Sequence, residues 1–255
     1  MTKSQTIPEA LRKLCLSLPE AEQVSCHGKP DFKVTGKSFA MLNINHHGDM
    51  RVGLWLHSAD GAQSHYTELN PDVYFIPPYL GPKGWLGLDL NKTDDWHEVV
   101  MHVRQAYENV APQHLKERID EAIRVSPPTQ KMSAQDINPM LADKPQEILA
   151  KLAKLCDRLP ETTATTQFGN PVFKAGKKTF VGLQYSGKRL KMQLWTGLEL
   201  QSLLISDERF SIPSYIGHNG WVSLDIEDWI NWEEVEALLV DSYRHFALKR
   251  MLNAM

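Results

Sequence analysis

The sequence is short of cysteine, of any excess of one charge, and of long apolar runs, and each shortage removes a class of protein. Three cysteines among 255 residues exclude a disulfide framework. Lys and Arg total 28 against 31 Asp and Glu. The molecule as a whole is therefore no polycation, and any nucleic-acid surface must be a local patch. No apolar stretch reaches the roughly 20 residues of a membrane span, and Met1 to Ile7 is polar. The expectation is a soluble, cytoplasmic protein with no membrane partner. Catalytic signatures are missing as well. Gly81-Pro82-Lys83-Gly84 has neither the length nor the Lys-Ser/Thr ending of a phosphate-cradling loop. No nucleophile stands with a base and an orienting group, so the expectation is a non-enzymatic protein without a cofactor.

What the sequence does contain is a repeat. Ile76-Pro-Pro-Tyr79-Leu-Gly81-Pro-Lys83-Gly84-Trp85-Leu-Gly-Leu-Asp89-Leu90 returns as Ile212-Pro-Ser-Tyr215-Ile-Gly217-His-Asn-Gly220-Trp221-Val-Ser-Leu-Asp225-Ile226, with eight of fifteen positions identical. Leu80/Ile216, Leu86/Val222 and Leu90/Ile226 keep their apolar character. The chain is a tandem duplication. Two glycines between Tyr and Trp permit positive backbone dihedrals in a tight loop, and Trp-x-x-Leu-Asp resumes as a strand. The matched Asp89 and Asp225 read as turn or cap residues.

Each copy opens with a helix: Leu11, Leu14, Cys15 and Leu18 lie on one stripe before Pro19, and Leu152, Leu155, Cys156 and Leu159 repeat it before Pro160. Strands are expected at Phe32–Val34, Ser38–Ile44 and Arg51–Leu56, and again at Val172–Lys174, Thr179–Tyr185 and Lys188–Trp195. The pairs Leu54-Trp55 and Leu194-Trp195 mark the same strand. A short helix or helical turn is expected over 58–70, shorter in the second copy. A closing helix carries Val99, Val103, Ala106, Tyr107 and Val110, or Val235, Leu239, Ser242, Tyr243 and Phe246. The order is helix, three or four strands, short helix, one or two strands, helix. That order predicts an α+β fold of two repeats, each an antiparallel sheet with helices packed on one face. The expected domains are 1–125 and 146–255, joined by a polar, proline-bearing linker at 126–145.

These residues resemble the MmcQ/YjbR-like family, also called double-wing proteins. The resemblance rests on Leu-Pro-Glu after the first helix, on Gly-x-Pro-x-Phe-Lys at Gly28–Lys33 and Gly169–Lys174, on Tyr-x-Gly-x-x-Gly-Trp, and on the closing helix with its inward Tyr. It covers nearly all of both copies, whereas the family is usually met as one copy. It implies a small α+β fold related to the frataxin and secretion-chaperone groups, and DNA binding.

Charge supplies the clearest functional signal. From Thr162 to Leu198 there is no Asp or Glu, while Lys174, Lys177, Lys178, Lys188, Arg189 and Lys191 are present. Cations on hairpins reach a phosphate backbone, so these six are the candidate nucleic-acid-binding residues, with weak and largely sequence-independent contact expected. Lysines at hairpin turns also serve as solvated edge protection. The first copy has Lys29, Lys33, Lys37 and Arg51 there, diluted by Asp31 and Asp49. A second candidate is a small-ligand pocket lined by Tyr79, Lys83 and Trp85, or by Tyr215, His218 and Trp221. A third reading is a protein-interaction module without catalytic activity. Cys26-His27 and His46-His47 match no zinc spacing, and no metal site is expected.

Overall fold

Thr6 opens the first helix: its hydroxyl accepts from the Glu9 amide while the Glu9 carboxylate accepts from the Thr6 amide at 2.9 Å, a reciprocal capping box. In the computed structural model, which describes residues 5–120, 123 and 125–255, this helix is α1 (Ile7–Leu16). The first four residues of the polar N-terminal stretch lie outside the described residues, as do three around the expected boundary at 125.

The first unit continues with β1 (Glu22–Cys26), β2 (Lys29–Val34), β3 (Lys37–Ile44), β4 (Val52–Leu56), α2 (Ala62–Leu69), β5 (Tyr74–Phe75), β6 (Leu86–Asp89), α3 (Trp96–Val110), α4 (Gln113–Lys116) and α5 (Ala134–Ile137). The second has α6 (Asp143–Cys156), β7 (Thr162–Gln167), β8 (Asn170–Ala175), β9 (Lys178–Ser186), β10 (Arg189–Trp195), α7 (Gly197–Leu204), β11 (Phe210–Ser211), β12 (Trp221–Asp225), α8 (Trp232–Phe246) and α9 (Lys249–Leu252). Both sheets are six-stranded and antiparallel, ordered β1-β2-β3-β4-β6-β5 and β7-β8-β9-β10-β12-β11. Each has a register shift at the same place, Phe32/Lys33 and Phe173/Lys174. The α+β duplication is present in full.

Alternation explains why helices cover one face only. Leu190, Met192 and Leu194 of β10 are buried in the core with Val235 and Leu239 of α8, and Lys191 and Gln193 fall between them on the opposite face. In the first unit Leu54 and Leu56 face Val99, Val103 and Tyr107. Cys15 and Cys156 are buried in these cores, and burial pushes the Cys156 thiol up to about 12.

Two of the repeated motifs meet through a hydrogen bond. The Tyr107 hydroxyl donates to the Pro19 carbonyl at 2.6 Å, and Tyr243 does the same to Pro160 at 2.6 Å. The inward Tyr of the closing helix thereby anchors the Leu-Pro-Glu turn.

Three differences from the sequence reading have physical causes. β1 and β7 have no counterpart among the expected strands, because Glu22-Gln-Val-Ser-Cys and Thr162-Thr-Ala-Thr-Thr-Gln lie at sheet edges and carry no apolar alternation. Trp55 and Trp195 share a strand but not a register position. Leu54 pairs with Leu88, whereas Met192 pairs with the matching Leu224, so Trp195 stands where the first unit has His57. The stretch 126–145 is shared between the units, which divide at Ile137/Asn138. Its first part straps the first unit: Thr129 donates to the Gln5 carbonyl at 2.9 Å, Met132 and Asn91 bond twice, and Ile137 joins the core. Its second part, with buried Met140 and the first turn of α6, belongs to the second unit.

Candidate functional site

The loop of the repeated motif is held the same way in both units. Gln201 donates to the carbonyls of Gly217 and Trp221, each at 2.7 Å, and Gln63 donates to Gly81 at 2.9 Å and Trp85 at 2.6 Å. A Cβ on Gly81 or Gly217 would run into the side chain of Ile76 or Ile212, so the loop closes only on glycine. Tyr79 and Tyr215 sit at its tip with φ of 64° and 67°, and are 68% and 80% exposed. A bulky residue in the left-handed region costs on the order of 1–3 kcal/mol, and both units carry that strain.

Beside this loop in the second unit, the helix-free face of the sheet opens into a groove of about 660 Å³. Tyr215 and Trp221 line it, with Phe168 (66% exposed) from the β7–β8 turn. Its floor is a row of paired residues across five strands: Val172, Gly182, Gln193, Ser223 and Ser211. In the next row Gln184 pairs with Lys191. Among the described residues Lys191 is the one charged residue lining the groove, and its ammonium donates to the Ser211 hydroxyl at 3.1 Å.

The matching row of the first unit reads Asp31, Met41, Trp55, Gly87 and Phe75, and Gly53 stands where the second has Lys191. Phe75, Trp55 and Trp85 pack together there, with Met41 and Leu80 against them. Arg51 lies 4.4 Å over the Phe75 ring. The groove of one unit is thus a small aromatic core in the other.

Around that aromatic core lies a titratable cluster. Lys29 Nζ and His46 Nδ1 are 2.8 Å apart, and His46 packs edge-on against Trp55 and Tyr79. Burial first, then the charges of Lys29 and His47, depress His46 to about 4. Burial also lowers Lys29, against the pull of Asp49, and raises Asp31, against hydrogen bonding from Ser38 at 2.9 Å and attraction to Lys33 at 3.5 Å. Among the described residues, no group of three or more His, Cys, Asp or Glu is arranged to hold a metal ion.

The six cations of the second unit do not form one patch. Lys177 and Lys178 lie at the start of β9 and Lys188 and Arg189 beyond its end, eight residue steps or roughly 27 Å apart at about 3.3 Å each. Arg189 is committed elsewhere: it is paired with Asp225, with one contact at 3.0 Å, and with Asp228 at 2.7 Å. Those bonds hold Asp225 below its usual range. Lys191 belongs to the groove. Lys174, Lys177, Lys178 and Lys188 remain, none in an ion pair among the described residues, whereas seven arginines are so engaged: Arg104, Arg118, Arg158, Arg189, Arg209, Arg244 and Arg250.

Of the pocket candidates, Tyr215 and Trp221 line the groove, while His218 is exposed in the adjoining turn and is not among its lining residues. Tyr79 is exposed, Lys83 is exposed beside it, and Trp85, 7% exposed, is part of the aromatic core. Sequence reasoning missed Gln184, Gln193, Ser211, Ser223 and Phe168. The available signal was the exchange of Phe75 for Ser211 and Gly87 for Ser223 between aligned copies.

A family model described as YjbR matches residues 16–109 and 157–245, one segment in each unit. No curated protein matches the chain. Among solved structures, the DUF419-domain protein DR2400 of Deinococcus radiodurans is similar at 18% identity and a TM-score of 0.37, over 50% of this chain and 96% of that one.

Proposed function

Because the chain belongs to the YjbR family, with two copies of its domain in tandem, we propose that it is a non-catalytic module that binds DNA weakly and with little sequence preference. The contacts are made to the phosphate backbone by Lys174, Lys177, Lys178 and Lys188. One observation carries the reading: these four lysines have no ion-pair partner among the described residues, on a stretch from Thr162 to Leu198 that holds no acid. Unpaired ammonium groups at strand ends release condensed counterions when they meet phosphates, and that release drives sequence-independent binding. Arg189, already neutralised by two carboxylates, contributes nothing to it.

The test is retardation of a labelled mixed-sequence duplex at low salt by the intact chain. The charge-reversed variant K177E/K178E/K188E should release the duplex. Absence of retardation by the unaltered protein, or retention by that variant, overturns the reading.

A further inference from the structure

We infer that the groove of the second unit binds a small molecule carrying one anionic group on a planar ring, at a site separate from the four DNA-facing lysines. The inference starts from the two versions of the same sheet row. The fold closes this face without difficulty, since the first unit fills it with Trp55, Phe75 and Trp85. In the second unit two of those three rings are gone: Ser211 replaces Phe75 and Gln193 replaces Trp55, while Trp221 keeps the place of Trp85, and beside them Gly182 replaces Met41. The groove, about 660 Å³, falls within the range of pockets that enclose small ligands.

The lining defines the chemistry. Lys191 takes the place of Gly53 and brings one positive charge into a groove that, among the described residues, no carboxylate lines. The neighbouring Asp225 cannot neutralise it fully, because its oxygens already accept from Arg189 and the Glu227 amide. Among the described residues the ammonium has only the Ser211 hydroxyl as a hydrogen-bond acceptor, so a ligand carboxylate or phosphate would gain a charge-assisted bond there. Gln184, Gln193 and Ser223 supply neutral donors and acceptors along the floor. Trp221 forms a wall, with Phe168 and Tyr215 at the rim, and aromatic surfaces of this kind favour a flat ring. The strained left-handed backbone of Tyr215 fixes that residue beside the opening.

Two sources share this chemistry, aryl carboxylates and nucleoside monophosphates, and the experiment separates them. The intact chain is titrated with indole-3-acetate in one arm and AMP in the other. Acetate and indole serve as the anion and the ring alone, and binding is read by ligand-detected saturation-transfer NMR up to about 1 mM. Binding in at least one arm is expected to exceed that of either half-molecule, and the preferred arm identifies the head group. K191Q should weaken it by about tenfold or more. Q193W/S211F, which installs the first unit's plug, should abolish it while leaving duplex retardation unchanged. Should that double variant fail to fold, S211F and K191Q each carry the same test. No binding in either arm, equal binding by acetate alone, or unchanged binding by K191Q overturns the inference. None of these outcomes depends on whether the protein retards DNA.

Discussion

Phe75 lies flat across Gly87, so close that a Cβ on that glycine would meet the ring at 2.5 Å. In the paired position of the second unit, the Ser211 hydroxyl donates to the Ser223 carbonyl at 3.4 Å and both residues line the groove. Phe75→Ser should therefore open the first unit as the second is open, at a cost of about 3–5 kcal/mol for the buried ring. Urea unfolding of that variant, compared with the parent, checks the cost. Gly87→Ala should cost about 1–3 kcal/mol by overpacking the same contact.

Gln201 holds the motif loop by two hydrogen bonds to carbonyls, one of them from a buried glycine. Gln201→Leu keeps the volume and leaves both acceptors without their donor. A loss of about 2–4 kcal/mol is expected in chemical denaturation of the second unit. The Gln63→Leu variant should show a similar loss in the first unit, since its two bonds are equivalent.

DNA binding through four lysines has a quantitative signature. The logarithm of affinity should fall against the logarithm of salt with a slope of about −3.6, at roughly −0.9 per phosphate contact. Fluorescence anisotropy across a salt series measures it. Arg189→Ala should leave the slope unchanged, because that guanidinium is already held by Asp225 and Asp228. A slope that drops by about one unit in this variant would count Arg189 among the contacts after all.

His46 gives the first unit a pH dependence. Its folded value of about 4 lies below its ordinary 6.5, because burial disfavours the imidazolium. The unfolded chain therefore takes up the proton first as pH falls. The stability that the neutral ring contributes is complete above 6.5 and is lost progressively from there down to about 4. His102, also lowered by burial, acts in the same direction. Buried Asp31 and half-buried Asp49 are raised by desolvation, so they act oppositely, with stability lost as pH rises from 3.8 towards their folded values. The histidine contribution is therefore read at the upper end of the range, as pH falls from 7 through 6.5. Thermal unfolding across that interval should show stability declining towards acid, and His46→Gln should flatten the decline by on the order of 1–3 kcal/mol.

The architecture was legible because its determinants are local and occur twice. The Tyr–Gly–Gly–Trp loop, the helix stripes and the Leu-Pro-Glu turn each reappear with the same spacing, and the hydrogen bonds of Tyr107 and Tyr243 use those very residues. The edge strands escaped notice because a strand such as Thr162–Gln167 buries almost nothing and so has no pattern to read. The groove was half legible. Tyr215 and Trp221 were identifiable from the motif, but Gln193, Lys191 and Ser211 become neighbours only through strand pairing. The apparent match of Trp55 with Trp195 also concealed the true alignment of Trp55 with Gln193. Charge was legible in part: the acid-free stretch marks Lys174, Lys177, Lys178 and Lys188, whereas the acids that pair with Arg189, Asp225 and Asp228, lie beyond the end of that stretch.

The five-residue row across each sheet makes this chain its own control. Whatever the second half captures, the first half offers the same backbone with the vacancy stoppered, in one molecule, at equal concentration and under identical solution conditions. A probe attached to each half would therefore report occupancy and background together, without a separately prepared reference.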